Sequence, residues 1–270
     1  GGETRLRAFG LFPDPHNFAF FVNLCLFVGL GYVFSQKKIA SRVWTGAAVV
    51  LMIVAVGLSF SRGAYLGLLA GGLFFAAVFL KCSGVLGKAI VAIAVIFILI
   101  FIFNSNIITQ RLASSFNMKE GSNAERYKNW TQAAGMVQDY PLGGVGLGNY
   151  ARTVDPRLGG AERSSIYAHN LFLDIAAETG ILNAMVFLFL IVVSVWRNIK
   201  NNNMLNLGLA AGLVAFLVHS IFDTALYSPQ VLTLLLVIVA LGLNPFVIPT
   251  DPPRRGAEEP RRRSKRLAVS

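Results

Sequence analysis

The chain has 270 residues, 55% of them hydrophobic and only 14% charged, with a formal net charge of +11. That balance excludes an ordinary soluble domain of this size, which would carry more charge and shorter apolar runs. The basic excess does not point to nucleic acid, because it falls in short gaps between apolar runs and in the terminal RRRSKRLAVS, the placement that orients a membrane protein.

In chain order, apolar runs near the 20 residues that cross roughly 30 Å of hydrocarbon predict seven spans. They cover 17–35, 43–60, 63–80, 87–103, 171–196, 204–222 and 229–248, the fifth beginning as an interfacial turn around His169 and entering lipid properly nearer Gly180. Lipid forbids unpaired backbone, and these runs do not alternate as barrel strands would. The expected fold is therefore an all-α polytopic bundle of about seven transmembrane helices.

The opening GGETRLRAFG lacks the apolar core of a signal peptide, and the absence of an initiator Met suggests part of something longer. The first span is entered through FPDPHNFAFF, where capping accounts for His16 beside Asp14 and Asn17. Spans two and three are separated only by Ser61 and Arg62, which predicts a tight helical hairpin. Cys25 and Cys82 have no metal-ligand spacing and no plausible disulfide.

If the seven spans alternate, Lys37, Lys38, Arg42, Lys81, Lys88, Arg197, Lys200, Arg254 and Arg255 share one side with the tail. The positive-inside rule makes that side cytoplasmic. The opposite face then holds the N-terminal segment, the Ser61–Arg62 turn, the long stretch 104–168 and the turn DTALYSPQ at 223–230. Loops of that length are generally functional or disordered. This one favours order, because 124–139 reads as an amphipathic helix with Asn123 as N-cap and Pro141 just past its end. Residues 251–270, rich in Pro and charge, read as a disordered basic tail.

A few polar residues stand out against the apolar background. Arg62 lies between two apolar helices, where a charge at mid-bilayer costs about 3 kcal/mol. Snorkelling would explain it, but its side of the membrane and the adjacent Gly63 favour anion binding. Arg126, in NAERYKNW, is a solvated helix cation when taken alone. With Tyr127 and Trp130 it could instead frame a sugar, its fork suited to phosphate.

PLGGVGLGNY carries Gly143, Gly144, Gly146 and Gly148 outside any strand–helix context, so a dinucleotide fingerprint is not supported. A sharp turn of the loop at the membrane surface explains these glycines as well as ligand approach does. His169, followed by Asn170, is either a histidine fixed at a helix mouth or a base near neutrality. His219 and Asp223, one helical turn apart, read as supporting residues that pair with each other or with an arginine across the bundle. Widely separated histidines give no metal site.

LSFSRGAYLGL, ERYKNWTQAAGMVQDYPLGGVGLGNY, AHNLFLDIAAETGIL and FGLFPDPHNFAFF together resemble the O-antigen ligase/polymerase family of bacterial envelope membrane proteins. The last is similar to the family's F-x-N-P-N-x-x-A stretch. The resemblance runs from about residue 8 to 245, and its specificity lies in the order and intervals of short motifs. His169, Asn170 and Gly180 fit the ligase branch's His-Asn pair, nine residues, then glycine; Asn183 departs from that branch's continuation.

The resemblance implies one transmembrane domain over 1–250, the C-terminal portion of a longer enzyme in the bacterial inner membrane. Its 104–168 loop and active site would be periplasmic, its C-terminus cytoplasmic. It implies an inverting, metal-independent glycosyltransferase of lipopolysaccharide biosynthesis with no cofactor. The donor would be a glycan on undecaprenyl diphosphate, and the acceptor a lipid A-core sugar hydroxyl. Carried over, His169 matches the catalytic histidine, and Arg62 and Arg126 match the arginines that hold the diphosphate. The polymerase and protein O-oligosaccharyltransferase branches, and a non-catalytic transporter of lipid-linked glycan, remain alternatives.

Overall fold

The computed structural model describes residues 8–82, 122–156, 167–201 and 203–244. The fourth expected span, Cys82's neighbours in the gap that follows, and the basic tail lie outside them. Every described element is a helix: α1 (Pro15–Ser35), α2 (Ile39–Leu58), α3 (Arg62–Cys82), α4 (Ser122–Asp139), α5 (Tyr150–Val154), α6 (Leu171–Thr179), α7 (Ile181–Lys200), α8 (Met204–His219) and α9 (Pro229–Leu243).

Four of these, α1, α2, α3 and α7, are long and apolar enough to cross a membrane. The sixth and seventh expected spans are the shorter helices α8 and α9, of 16 and 15 residues. At 1.5 Å per residue α8 is only about 24 Å long. Both begin where expected: the Asn203 side chain accepts from the backbone N–H groups of Leu205 and Asn206 at the start of α8, and Pro229 opens α9. But α8 stops at His219, short of the expected 222, and α9 at Leu243, beyond which the expected end at 248 lies outside the described residues. The fifth run splits at Gly180 and its membrane-length helix begins at Ile181, in keeping with the expected entry into lipid near Gly180.

α8 is the centre of the bundle. It is apolar all round and buried nearly all round, as such a helix must be. Small residues bring its neighbours close. On α3, Gly63, Gly67 and Gly71 recur every four residues and face His219, Ala215 and Ala211 of α8. Gly31 of α1 and Gly208 of α8 pack backbone to backbone. Without a hydrophobic force between helices in lipid, such close approach is what packing needs. Around this sit Phe20, Leu24, Leu209, Leu213, Phe216, Leu235 and Ile238 as a buried core.

α2 departs from the expected hairpin. It leans on α1 and meets α3 little beyond the turn that joins them. Phe60 adopts φ 51° there, and the Tyr65 hydroxyl donates to the Gly57 carbonyl at 2.6 Å to close the turn. Most of α2 and α7 is left apolar and open, including Trp44, Leu51, Val54, Phe189 and Trp196. Those faces suit lipid.

Candidate functional site at one end of the bundle

Alternating chain direction brings the N-termini of α1, α3, α6 and α9 to the same end as the C-termini of α2 and α8. Two backbone hydrogen bonds tie that end together: Ala8 N–H donates to the Leu58 carbonyl at 3.0 Å, and Leu171 N–H to the Ser220 carbonyl at 2.9 Å. The opposite end carries Lys37, Lys38, Arg42, Lys81, Arg197 and Lys200 at or near helix ends.

At the first end, Asp223 sits in the turn after α8 with 1% of its side chain exposed. His169 Nδ1 lies 3.3 Å from its Oδ1, and His16 Nδ1 lies 2.9 Å from its Oδ2. Arg126 approaches Oδ2 at 3.9 Å, and the Thr224 backbone N–H donates to Oδ1 at 2.9 Å. Burial pushes this carboxyl up, but donation and charge from His16 and His169 outweigh it and hold the group well below the usual carboxylate range. A carboxylate can only accept. His169, hydrogen-bonded to Oδ1, must therefore present Nδ1–H to it and keep the Nε2 lone pair free when neutral.

His16 Nδ1 also stands 3.0 Å from Ser61 Oγ, and Ser61 Oγ stands 3.4 Å from His219 Nε2. The chain has three histidines, and all three lie in this one network. His219 is fully buried and stacked on Phe20, with ring centroids 3.5 Å apart. Of the two pairings the sequence allows, Asp223 takes the arginine across the bundle, Arg126, while His219 reaches it only by a longer path through Ser61 and His16. The capping role expected of His16 belongs to Asp14, whose carboxylate accepts from the His16 and Asn17 backbone N–H groups at 2.7 and 2.8 Å. The His16 side chain is thereby free to face Asp223.

His169 occupies the left-handed region at φ 54°. A non-glycine residue held there costs about 1–3 kcal/mol, and persists only where its surroundings impose it. They do so on both sides. Ala168 N–H donates to Asp174 Oδ1 at 2.7 Å, while Asn170 caps α6 by accepting from the Phe172 and Leu173 N–H groups. Thr224 Oγ donates to the other Asp174 oxygen, joining this segment to the Asp223 turn. Asp174 and Glu178, two acids inside an apolar run, are thus structural acceptors: Glu178 Oε1 receives the Tyr150 backbone N–H at 3.2 Å.

The glycine-rich segment wraps the α6–α7 break. Val145 and Gly146 N–H groups donate to the Ala177 and Glu178 carbonyls, and the Pro141 carbonyl accepts from Ile181 N–H. Carbonyls and amides that helix ends leave unpaired are satisfied in this way. Gly180, at φ 93°, lies against the Leu142 carbonyl, where a Cβ would not fit. Gly63 likewise serves packing: a Cβ there would stand 2.7 Å from the His219 ring, so the residue is explained without an anion.

Arg126 lies on α4, which begins at Ser122 and so takes Asn123 inside the helix rather than as its cap. Arg126 turns to Asp223 and is mostly buried, not solvated. Asn129 and Tyr150 fasten α4 in place: Asn129 Nδ2 donates to the Tyr167 carbonyl, and the Tyr150 hydroxyl to the Asn129 carbonyl. Tyr127 is exposed, whereas Trp130 packs its ring with Ala133, Met136 and Tyr150, so the two do not form one open aromatic floor. The aromatic rings beside His169 are Tyr167, 4.2 Å away, and Tyr227 beyond it. Burial, then the charge of Asp223, raises the Tyr167 hydroxyl. Arg62 is the first residue of α3, half-exposed and next in chain to Ser61.

An α-helical membrane protein with a charged, histidine-rich centre at one end of its bundle is the class these features define. Residues 47–188 match the sequence profile described as O-antigen ligase, more than half of the chain. The protein belongs to the O-antigen ligase family, whose members are glycosyltransferase-like membrane proteins acting on lipid-linked glycans. The match contains Arg62, Arg126, His169, Asn170 and Gly180. No curated protein matches the sequence.

Proposed function

We propose that the protein transfers a glycan from undecaprenyl diphosphate to a lipid A-core sugar hydroxyl, with inversion and without a metal ion. The observation that carries this reading is the His169–Asp223 contact, which leaves His169 Nε2 as a free base beside Arg126. The acceptor hydroxyl gives its proton to Nε2 as its oxygen bonds the anomeric carbon, and the glycosyl–diphosphate C–O bond breaks. The departing diphosphate takes the electron pair. Arg62 and Arg126 stabilise that charge in a site largely screened from water.

Asn170 and Gly180 set the backbone around His169, Asp223 holds its tautomer, and His219 supports the network through Ser61. The basic opposite end supports a cytoplasmic position for it and an extracytoplasmic one for the site, in the bacterial inner membrane. On this reading residues 1–250 form one transmembrane domain, 104–168 its outer segment, and 251–270 a cytoplasmic tail.

The test is purified protein in lipid with undecaprenyl-diphosphate-linked glycan and a lipid A-core acceptor, alongside His169→Ala. Transfer by the parent alone, with donor binding retained in the variant, is the expected result. Chain growth on donor alone would make the protein a polymerase, transfer to a pilin-like protein an O-oligosaccharyltransferase, and donor movement without transfer a transporter.

A further inference from the structure

The stretch 140–151 carries no charged side chain, yet it leaves large apolar groups open. Leu142 and Leu147 are 79% and 80% exposed, and Tyr140 is more than half exposed. Other side chains of the same stretch turn inward: Tyr150 is buried, and Val145 packs on the cluster of Ala133, Met136 and Tyr150. One apolar face therefore holds the stretch to the protein, and a second is left open.

We infer that the open face lies against the bilayer surface at the site end of the bundle, with Tyr140, Leu142 and Leu147 as an interfacial anchor. Its attachment to α7 carries the inference. Ile181 N–H donates to the Pro141 carbonyl at 2.9 Å, and the Leu142 carbonyl lies against Gly180. Leu142 is thus fixed beside the first turn of α7, a helix long and apolar enough to cross a membrane. Exposed Leu182, Met185 and Phe189 follow along α7 at helical spacing, a stripe suited to lipid. Leu142 stands at the depth where that stripe begins.

The backbone of the stretch suits such a position. Lipid penalises unpaired N–H and C=O groups, and Pro141 has no N–H to place. Gly144 N–H donates to the Tyr140 carbonyl, Val145 and Gly146 N–H to carbonyls of α6, and Asn149 N–H to the Gly146 carbonyl. The side chains suit it too. Leucines favour hydrocarbon, a tyrosine ring tolerates both phases, and no charge holds the stretch in water. Left in water, the same groups would form an apolar patch of the kind that marks an interaction surface. The consequence is positional. α6, nine residues and about 13 Å long, runs from this anchor back towards His169, so the anchor sets the height of the charged centre relative to the lipid.

The test is spin labelling of the full chain in nanodiscs of phosphatidylethanolamine and phosphatidylglycerol. Cys25→Ser and Cys82→Ser remove the native thiols, and Leu142→Cys and Leu147→Cys each add one back. Leu182→Cys, on the exposed face of α7, is the lipid reference, and Lys128→Cys, exposed on α4, the aqueous one. At 142 and 147, as at 182, the label should meet oxygen, which concentrates in lipid, several-fold more readily than a water-soluble nickel chelate. At 128 the order should reverse. Nickel access at 142 or 147 equal to that at 128 would put the stretch in water and overturn the inference. Protection from both reagents, as under a second copy of the chain, would overturn it as well. Both side chains are exposed, so a label displaces no packing, and either position decides if the other variant fails to fold. No glycan enters the measurement, so its outcome is separate from that of the transfer assay.

Discussion

His169 and Asp223 meet at 3.3 Å although 54 positions separate them, and His169 does so from a left-handed backbone. The carboxylate fixes which ring nitrogen carries the proton and stabilises the imidazolium that forms. Asp223→Asn keeps the size of the side chain but lets its amide donate to Nδ1, which favours the wrong tautomer. Transfer should fall by about 10²–10⁴-fold, the usual range for losing a positioned acid–base group. Single-turnover transfer in nanodiscs checks this; a rate within a few-fold of the parent would remove Asp223 from the chemistry.

Asp174 gives a pH signature. Its burial raises the carboxyl from 3.8 to about 7, with the Thr224 and Ala168 bonds offsetting part of the rise. Between those pH values the folded chain holds a proton that the unfolded chain has lost. The contribution to stability is thus complete below about pH 4 and is lost as pH rises to about 7. At 1.36 kcal/mol per unit it amounts to roughly 4 kcal/mol at most. Asp174→Asn keeps an acceptor for Ala168 and cannot ionise, so denaturation midpoints measured from pH 4 to 8 should lose this slope. An unchanged slope would refute the assignment to Asp174.

Gly180 can be tested without touching a polar group. It holds φ 93° with the Leu142 carbonyl against the place of a side chain. Gly180→Ala should cost at least about 1–3 kcal/mol in backbone strain, and more from the clash. It should also lower transfer by disturbing the α6 end that positions His169. Thermal unfolding and transfer measured together test this, and a wild-type midpoint would contradict the geometry.

The sequence makes the membrane class legible through long apolar runs, and it marks Arg62, Arg126 and His169 as candidates because they are polar groups within or beside those runs. Read locally, His16 is a cap and Asp223 a supporting residue. Their partnership exists only because small residues let α8 pack between α1 and α3, and no local window contains it. The signal available was that His16, His219 and Asp223 stand at span ends on one side. Hydropathy also carried the sixth run to 222, since apolar Ile221 and Phe222 mask the end of α8 at His219. The Gly180 break inside the fifth run was half legible, from glycine and the acids before it.

The small-residue packing can be isolated by two like substitutions on one helix. A Cβ at Gly67 would stand 2.6 Å from the Ala215 carbonyl oxygen and 3.2 Å from His219 Cβ, whereas at Gly72 it would meet nothing within 4 Å. Backbone cannot rotate away as a flexible side chain can, so Gly67→Ala must push α3 and α8 apart. The cost should be about 1–3 kcal/mol, as for other overpacked interiors. Because His219 reaches Ser61 and His16 from this interface, transfer should fall as well, though Gly67 touches none of the reacting groups. Gly72→Ala should be neutral or up to about 1 kcal/mol stabilising, since a helical glycine is replaced in open space. Unfolding midpoints of the two variants in the same detergent make the comparison, and equal midpoints would mean that close approach of α3 to α8 does not hold the site together.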